Sequence, residues 1–319
     1  MKETGHKVLL LIGNGFDCDL GLKTKYKDFV ESDFFKKKIT FKFDSERLIE
    51  NDYDFNIFDY LYNRYNDNHN WIDIEHELAE LATRKSIAYD EDLGRNIYVK
   101  PIMGEKQIDS FIQLKKQLND YLLNLCIPVK QTSYAYKLAE IICKSEHSQI
   151  VSFNYTNFNI TTGLSKICYY VHGCLNGNTE PSIILGFQDD VEVDKSYCCM
   201  IKSHQPSYYA SHIPDYLKMA DEVIFFGLSL GDVDYPYFSE FFEKQCIPND
   251  ISSRKNITFF TFDENSRQDI LYQLRMMNNK KTRYFFEYSN LNFFRTKNNM
   301  DDGKIEGFFQ DLKRRLGLN

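Results

Sequence analysis

The sequence predicts an α/β protein: an open, mostly parallel, doubly wound sheet that carries a large helical insertion. Three observations lead there. First, Val8–Ile12 is an unbroken apolar run that ends in Gly13-Asn14-Gly15. A strand buried on both faces reads as such a run, whereas a half-buried strand alternates. Second, further short runs rich in β-branched and aromatic residues follow at 149–154, 168–172, 182–187, 222–226 and 256–262, several with helical patterns between them. Third, no glycine occurs from Leu22 to Leu93 or from Glu105 to Thr162. Apolar residues there recur at helical spacing. The expected domains are therefore a sheet domain from 1–29 and 148–319, and a helical insertion over 30–147.

Taken in order, Val8–Ile12 is the first strand and its glycines allow a sharp turn. A helix opens soon after, with free N–H groups aimed at that turn. Residues 44–70 are rich in Asp, Asn and Tyr and match no pattern clearly. Asp73 is a cap for a helix with Ile74, Leu78 and Leu81 on its apolar face and Glu75 and Glu77 in its first turn. Ile108, Phe111, Ile112, Leu118, Leu122 and Leu125 mark one face of a helix that stops before Pro128. Tyr134, Lys137, Leu138, Ile141 and Ile142 mark the next, capped by Thr132 or Ser133. Helices are expected at 236–244, 266–277 and 305–316, and an edge strand at 285–288.

Composition sets bounds. At 319 residues the chain is long enough for about two domains. With 22 Tyr and 26 Phe, the core should be built largely from aromatics. The net charge of −7 disfavours broad nucleic-acid binding. No segment reaches the ~18 apolar residues of a membrane span, so no membrane contact and a cytoplasmic location are expected. The eight cysteines include no C-x-x-C pair, which suits buried thiols in a reducing compartment. Cys198-Cys199 with His204 and His212 is a weak metal set, because adjacent cysteines rarely share one tetrahedral zinc.

Four strand ends carry the chemistry: GNGFD (13–17), FNYT (153–156), VHG (171–173) and GLSLGDVD (227–234). In a parallel sheet such ends converge on one crevice. Gly13, Asn14, Gly15 and Phe16 would form a phosphate-cradling loop. Asn154 offers a donor and an acceptor to ribose hydroxyls. His172 would be a general base near neutral pH. Gly227 and Ser229 would approach an adenosine ribose. Asp232 and Asp234 would cap the helix that begins at Pro236. Each has a plainer alternative: a common α/β turn, a tied-down loop, a hydrogen-bonded structural histidine, ordinary caps. Glu75 is either a helix-start carboxylate or a carboxylate pressed into the cleft.

Together, LLIGNGFDCDLGLKTKYKDF, NWIDIE, SFNYT, VHG, IILGF and IFFGLSLGDVDYPYF resemble the bacteriophage abortive-infection AbiH family. That family looks like a divergent relative of the sirtuins, which implies a Rossmann-like, mostly parallel sirtuin-like sheet. The resemblance places Gly13-Asn14-Gly15 at the sirtuin G-A-G loop and Asn154 at the Asn of Gln-Asn-x-Asp. It places His172 at the catalytic His-Gly, and Gly227 and Ser229 at Gly-Thr-Ser-Leu. Asn14 replaces alanine, Thr156 replaces Asp, and the four-cysteine zinc module is missing, which argues against protein deacetylation.

The implied function is an antiphage NAD glycohydrolase, with NAD as substrate. Asn154 would orient the ribose and water, His172 would accept a proton, and Asp17 would face the cationic sugar or simply stabilise a helix start. A metal-dependent nuclease or phosphohydrolase using Asp17, Asp19, Glu75, Asp232 and Asp234 is the second reading. A non-catalytic nucleotide-binding sensor is the third. An enzyme that empties the NAD pool needs restraint, by homo-oligomer formation or a lid from residues 30–147, released by a phage-derived trigger.

Overall fold

Every residue of Val8–Ile12 is buried, as its uninterrupted apolar run requires. The computed structural model describes residues 5–40, 56–84, 86–90, 95–99, 102–125, 129–175, 182–206, 208, 212–247 and 254–318. The chain divides into two compact units. The sheet unit comprises Met1–Leu22, Ile127–Val171 and Tyr209–Asn319, and the second unit comprises Lys23–Cys126 and His172–Tyr208.

In chain order the elements begin with β1 (Val8–Ile12), α1 (Asn14–Asp19), α2 (Tyr26–Glu31), α3 (Asp33–Lys36), α4 (Ile57–Asp67) and α5 (Ile74–Thr83). Next come β2 (Ser86–Asp90), β3 (Arg95–Val99), α6 (Glu105–Leu123), α7 (Tyr134–Lys144), β4 (Ser148–Ser152), α8 (Phe158–Thr162) and β5 (Cys168–Tyr170). They close with α9 (Ile213–Met219), β6 (Glu222–Phe226), α10 (Tyr235–Lys244), β7 (Asn256–Thr261), α11 (Glu264–Met277), α12 (Thr282–Tyr288), β8 (Asn290–Arg295) and α13 (Asp302–Arg315). Among the described residues no helix is long and apolar enough to cross a membrane.

Among the described residues the sheet unit holds six parallel strands in the order β5-β4-β1-β6-β7-β8. Counting only these strands along the chain gives 3-2-1-4-5-6, the order of doubly wound sheets that bind dinucleotides, with the switch point between β1 and β6. β1 sits between β4 and β6, with Leu10 opposite Ile150 on one side and Ile224 on the other. Its alternate side chains feed two cores. Leu9 and Leu11 join Leu217, Phe238, Phe242 and Leu274 on one face. Leu10 and Ile12 join Phe16, Leu138, Phe309 and Leu312 on the other.

The aromatic core expected from composition is present and sets register. Phe225 stacks on Phe259 and Phe259 on Phe293, each pair 4.9 Å apart. On the opposite face Phe226 stacks on Phe260 at 4.9 Å, and Phe260 packs on Phe294. A one-residue slip would send each ring to the wrong face. The second unit holds helices α2–α6 and the antiparallel pair β2–β3.

Several expectations change. Residues 182–187 form no strand, although Ile183, Ile184, Leu185 and Phe187 are all buried. Gly186 takes φ +141°, which breaks the extended run, and the segment belongs to the second unit. Residues 285–288 lie in helix α12, and the edge strand is β8 just after it. In α6 the buried face runs through Gln107, Phe111, Leu114, Leu118 and Tyr121, while Ile112 is exposed. Ser133 is the cap of α7 and accepts from the Tyr136 N–H. Asp234 occupies the N-cap position of α10 without a side-chain cap bond. The side chain of Asp232, and Cys126, lie outside the described residues.

The amino end of β6 is clamped by charge. Glu222, almost fully buried, accepts two 2.9 Å hydrogen bonds from Arg315 of α13 and one of 3.0 Å from His6. Arg315→Met removes one partner of a buried pair and should cost about 2 kcal/mol, tempered by the partial exposure of the guanidinium. Urea unfolding would show it as a lower midpoint, and an unchanged midpoint would deny the clamp any role.

Candidate functional site

The carboxyl ends of β1, β4 and β6 draw three loops together in the sheet unit. Beyond the strands the ladder continues, with Phe153 N–H donating to Ile12 O at 2.9 Å and Gly13 N–H to Phe226 O at 3.0 Å. Gly15 N–H then donates to Gly227 O at 2.9 Å. The two glycine loops touch backbone to backbone. A Cβ at Gly227 would lie 2.3 Å from the Gly15 Cα, and one at Gly13 would lie 2.7 Å from the Gly227 oxygen. Gly227 also has φ +63°, a region that favours glycine.

This contact answers why glycines stand here. The N–H groups of Gly13, Gly15 and Phe16 all donate to protein carbonyls, and α1 has only six residues. The turn is a packed junction, so these three groups do not form an open ring of donors. The Phe16 side chain is core, edge-on to Phe226 at 5.5 Å. Asn14 and Ser229 are exposed.

Beside the junction lies a buried polar cluster. Asn154, two residues beyond β4, donates from Nδ2 to Gly13 O at 3.0 Å. Thr156 Oγ1 donates to Asp17 Oδ2 at 2.7 Å. Burial pushes the Asp17 carboxyl up to about 7, and the hydrogen bonds from Thr156 and Asn154 pull against it. With the Asn154 amide engaged by Gly13 and Asp17, its Oδ1 is the atom left to accept from a ligand hydroxyl. A buried carboxyl that titrates near neutrality can exchange a proton or meet a positive charge at the pH of a cell.

Gly13, Asp17, Asn154 and Gly227 are thus brought together. His172 belongs to the second unit, where its carbonyl accepts from Ile184 N–H at 2.7 Å. Burial and then the Lys202 charge hold its imidazole well below the usual histidine range. Glu75, also in the second unit, is ion-paired to Lys202 at 2.9 Å. Thr156 and Lys202 were missed as site residues by sequence reasoning. Thr156 carried a signal, two positions after Asn154, whereas nothing in the local sequence marks Lys202.

Among the described residues, carboxylates for a metal do not gather. Asp19 accepts from the Ala135 N–H at the start of α7, at 2.8 Å. Among the described residues no three His, Cys, Asp or Glu side chains come together as ligands.

The model of a family described as "Bacteriophage abortive infection AbiH" matches residues 9–251. No curated protein and no solved structure matches the chain.

Proposed function

The chain belongs to the bacteriophage abortive infection AbiH family, and we propose that it serves that response by hydrolysing NAD at the nicotinamide–ribose bond. The observation that carries this reading is the Asp17–Asn154–Thr156 cluster. It lies at the carboxyl ends of β1 and β4, in a sheet with dinucleotide-binding strand order.

Loss of nicotinamide leaves a sugar with oxocarbenium character. Asn154 Oδ1 accepts from a ribose hydroxyl or from the attacking water. Asp17, ionised, faces the developing positive charge, and its dry surroundings make that charge effective. The role of proton acceptor falls to His172, as the resemblance to sirtuins implies.

Purified protein mixed with NAD and lysate of phage-infected cells should release nicotinamide. Asn154→Ala and His172→Ala should each lower the rate at least about 100-fold with an unchanged circular dichroism spectrum. The rate should rise with pH as Asp17 ionises through about 7. A chelator should leave the rate unchanged, which separates this chemistry from metal-dependent hydrolysis. Wild-type protein that releases no nicotinamide with any lysate would refute the proposal.

A further inference from the structure

The last residue of β4 breaks a pattern in the sheet. Strand register lines up Tyr170, Ser152, Ile12, Phe226, Phe260 and Phe294. Residues in such a row share one face. The row is aromatic or aliphatic except at Ser152, and its other members pack in the core on that face. Ser152 is itself wholly buried. A hydroxyl enclosed among apolar side chains is costly unless its hydrogen bonds are made. A β-branched apolar residue is the ordinary filling for such a place.

Among the described residues, both hydrogen bonds of the Ser152 hydroxyl go to Asn154. Oγ accepts from the Asn154 N–H at 3.1 Å and lies 3.4 Å from the Asn154 carbonyl oxygen, to which it donates. Phe153 N–H still makes a rung with Ile12 O, and the chain then bends at Asn154. The hydroxyl thus receives the N–H at the point where the ladder stops. At its other end Asn154 is held by Gly13 O, which takes Nδ2 at 3.0 Å and also accepts from Phe16 N–H at 2.9 Å. We propose that Ser152 is a positioning residue for Asn154: its hydroxyl locks the main chain from which the carboxamide reaches Gly13, leaving Oδ1 to accept from a ligand. The catalytic meaning of this lock rests on the NAD-cleavage reading, but the first part of its test needs no turnover.

The side-chain amide protons of Asn154 can be followed by heteronuclear NMR in the full-length protein, assigned by their loss in Asn154→Ala. In wild type they should be protected from exchange with water. Exchange as fast as that of a surface asparagine overturns the proposal without any further variant. Ser152→Ala removes the hydroxyl and should speed the exchange at least about 10-fold. Ser152→Thr keeps the hydroxyl on a β-branched side chain suited to a strand, and should keep the wild-type rate. Exchange that is unchanged in Ser152→Ala, or sped equally in both variants, overturns the proposal. If nicotinamide release is observed, Ser152→Ala should slow it about 10-fold, as a displaced catalytic group does. Ser152→Ala/Asn154→Ala should then be no slower than Asn154→Ala alone, because the hydroxyl acts only through that side chain. Additive losses overturn the proposal. If no release is seen but the exchange rates behave as expected, Ser152 stands as the residue that positions Asn154 and the NAD-cleavage reading falls.

Discussion

Gly227→Ala is expected to be among the most damaging single-methyl changes in the sheet unit. The new Cβ would sit 2.3 Å from the Gly15 Cα, 2.4 Å from the Gly15 carbonyl carbon and 2.5 Å from the Phe16 nitrogen. All three are backbone atoms, so no side-chain rotation relieves the collision. The left-handed φ of +63° adds its own penalty. Strain and overpacking together should cost about 3–4 kcal/mol, visible as a large fall in the urea midpoint or as insoluble protein. Gly307→Ala is the fitting control. Gly307 is an exposed position of helix α13 with nothing within 4 Å of an added methyl, so alanine there should stabilise by about 1 kcal/mol. If both substitutions behave alike, the glycine loops are not in the contact described.

Asp17→Asn is expected to stabilise the fold while abolishing nicotinamide release. In the unfolded chain the carboxyl ionises near the ordinary 3.8; in the fold burial raises this to about 7. Between those values the folded state holds a proton that the unfolded state has lost, so stability falls as pH rises. Below about pH 4 both states are protonated, and the carboxyl sets no pH-dependent difference. Above about pH 7 the buried carboxylate is charged and its full cost is felt. The amide carries no such cost, and its Oδ1 can still accept from Thr156 Oγ1. The variant should therefore match wild type near pH 4 and exceed it by about 2–4 kcal/mol at pH 8. Parallel stability curves for the two proteins across that range would show that Asp17 is not held neutral by burial. The gain in stability with loss of activity is the pattern expected where a costly buried charge is kept for chemistry.

Much of the sheet was legible because its signals are local. An apolar run such as Val8–Ile12 can be satisfied only by burial on both faces, and Glu222–Phe226 reads the same way. Capping residues such as Asp73 and Ser133 speak for themselves within a few positions. The 182–187 segment misled because apolar content reports burial, not hydrogen-bond pairing. Its backbone bonds go to His172, Met200 and Lys202 instead of to a neighbouring strand. The same limit applies at the site: Asn154 and Asp17 stood out as residue types, but Thr156, which donates to Asp17, did so only weakly.

Sequence alone determined the parallel α/β architecture, the strand-end position of GNGFD and FNYT, and membership of the phage-defence family, since short-range periodicity and contiguous motifs carry all three. Tertiary structure alone decided that the glycines serve a contact between two loops, that Asp17 is buried until it titrates near neutrality, and that Lys202 meets Glu75 across the chain. The physical reason is that desolvation and close backbone approach depend on which distant segments surround a residue, and those neighbours exist only once the chain has folded.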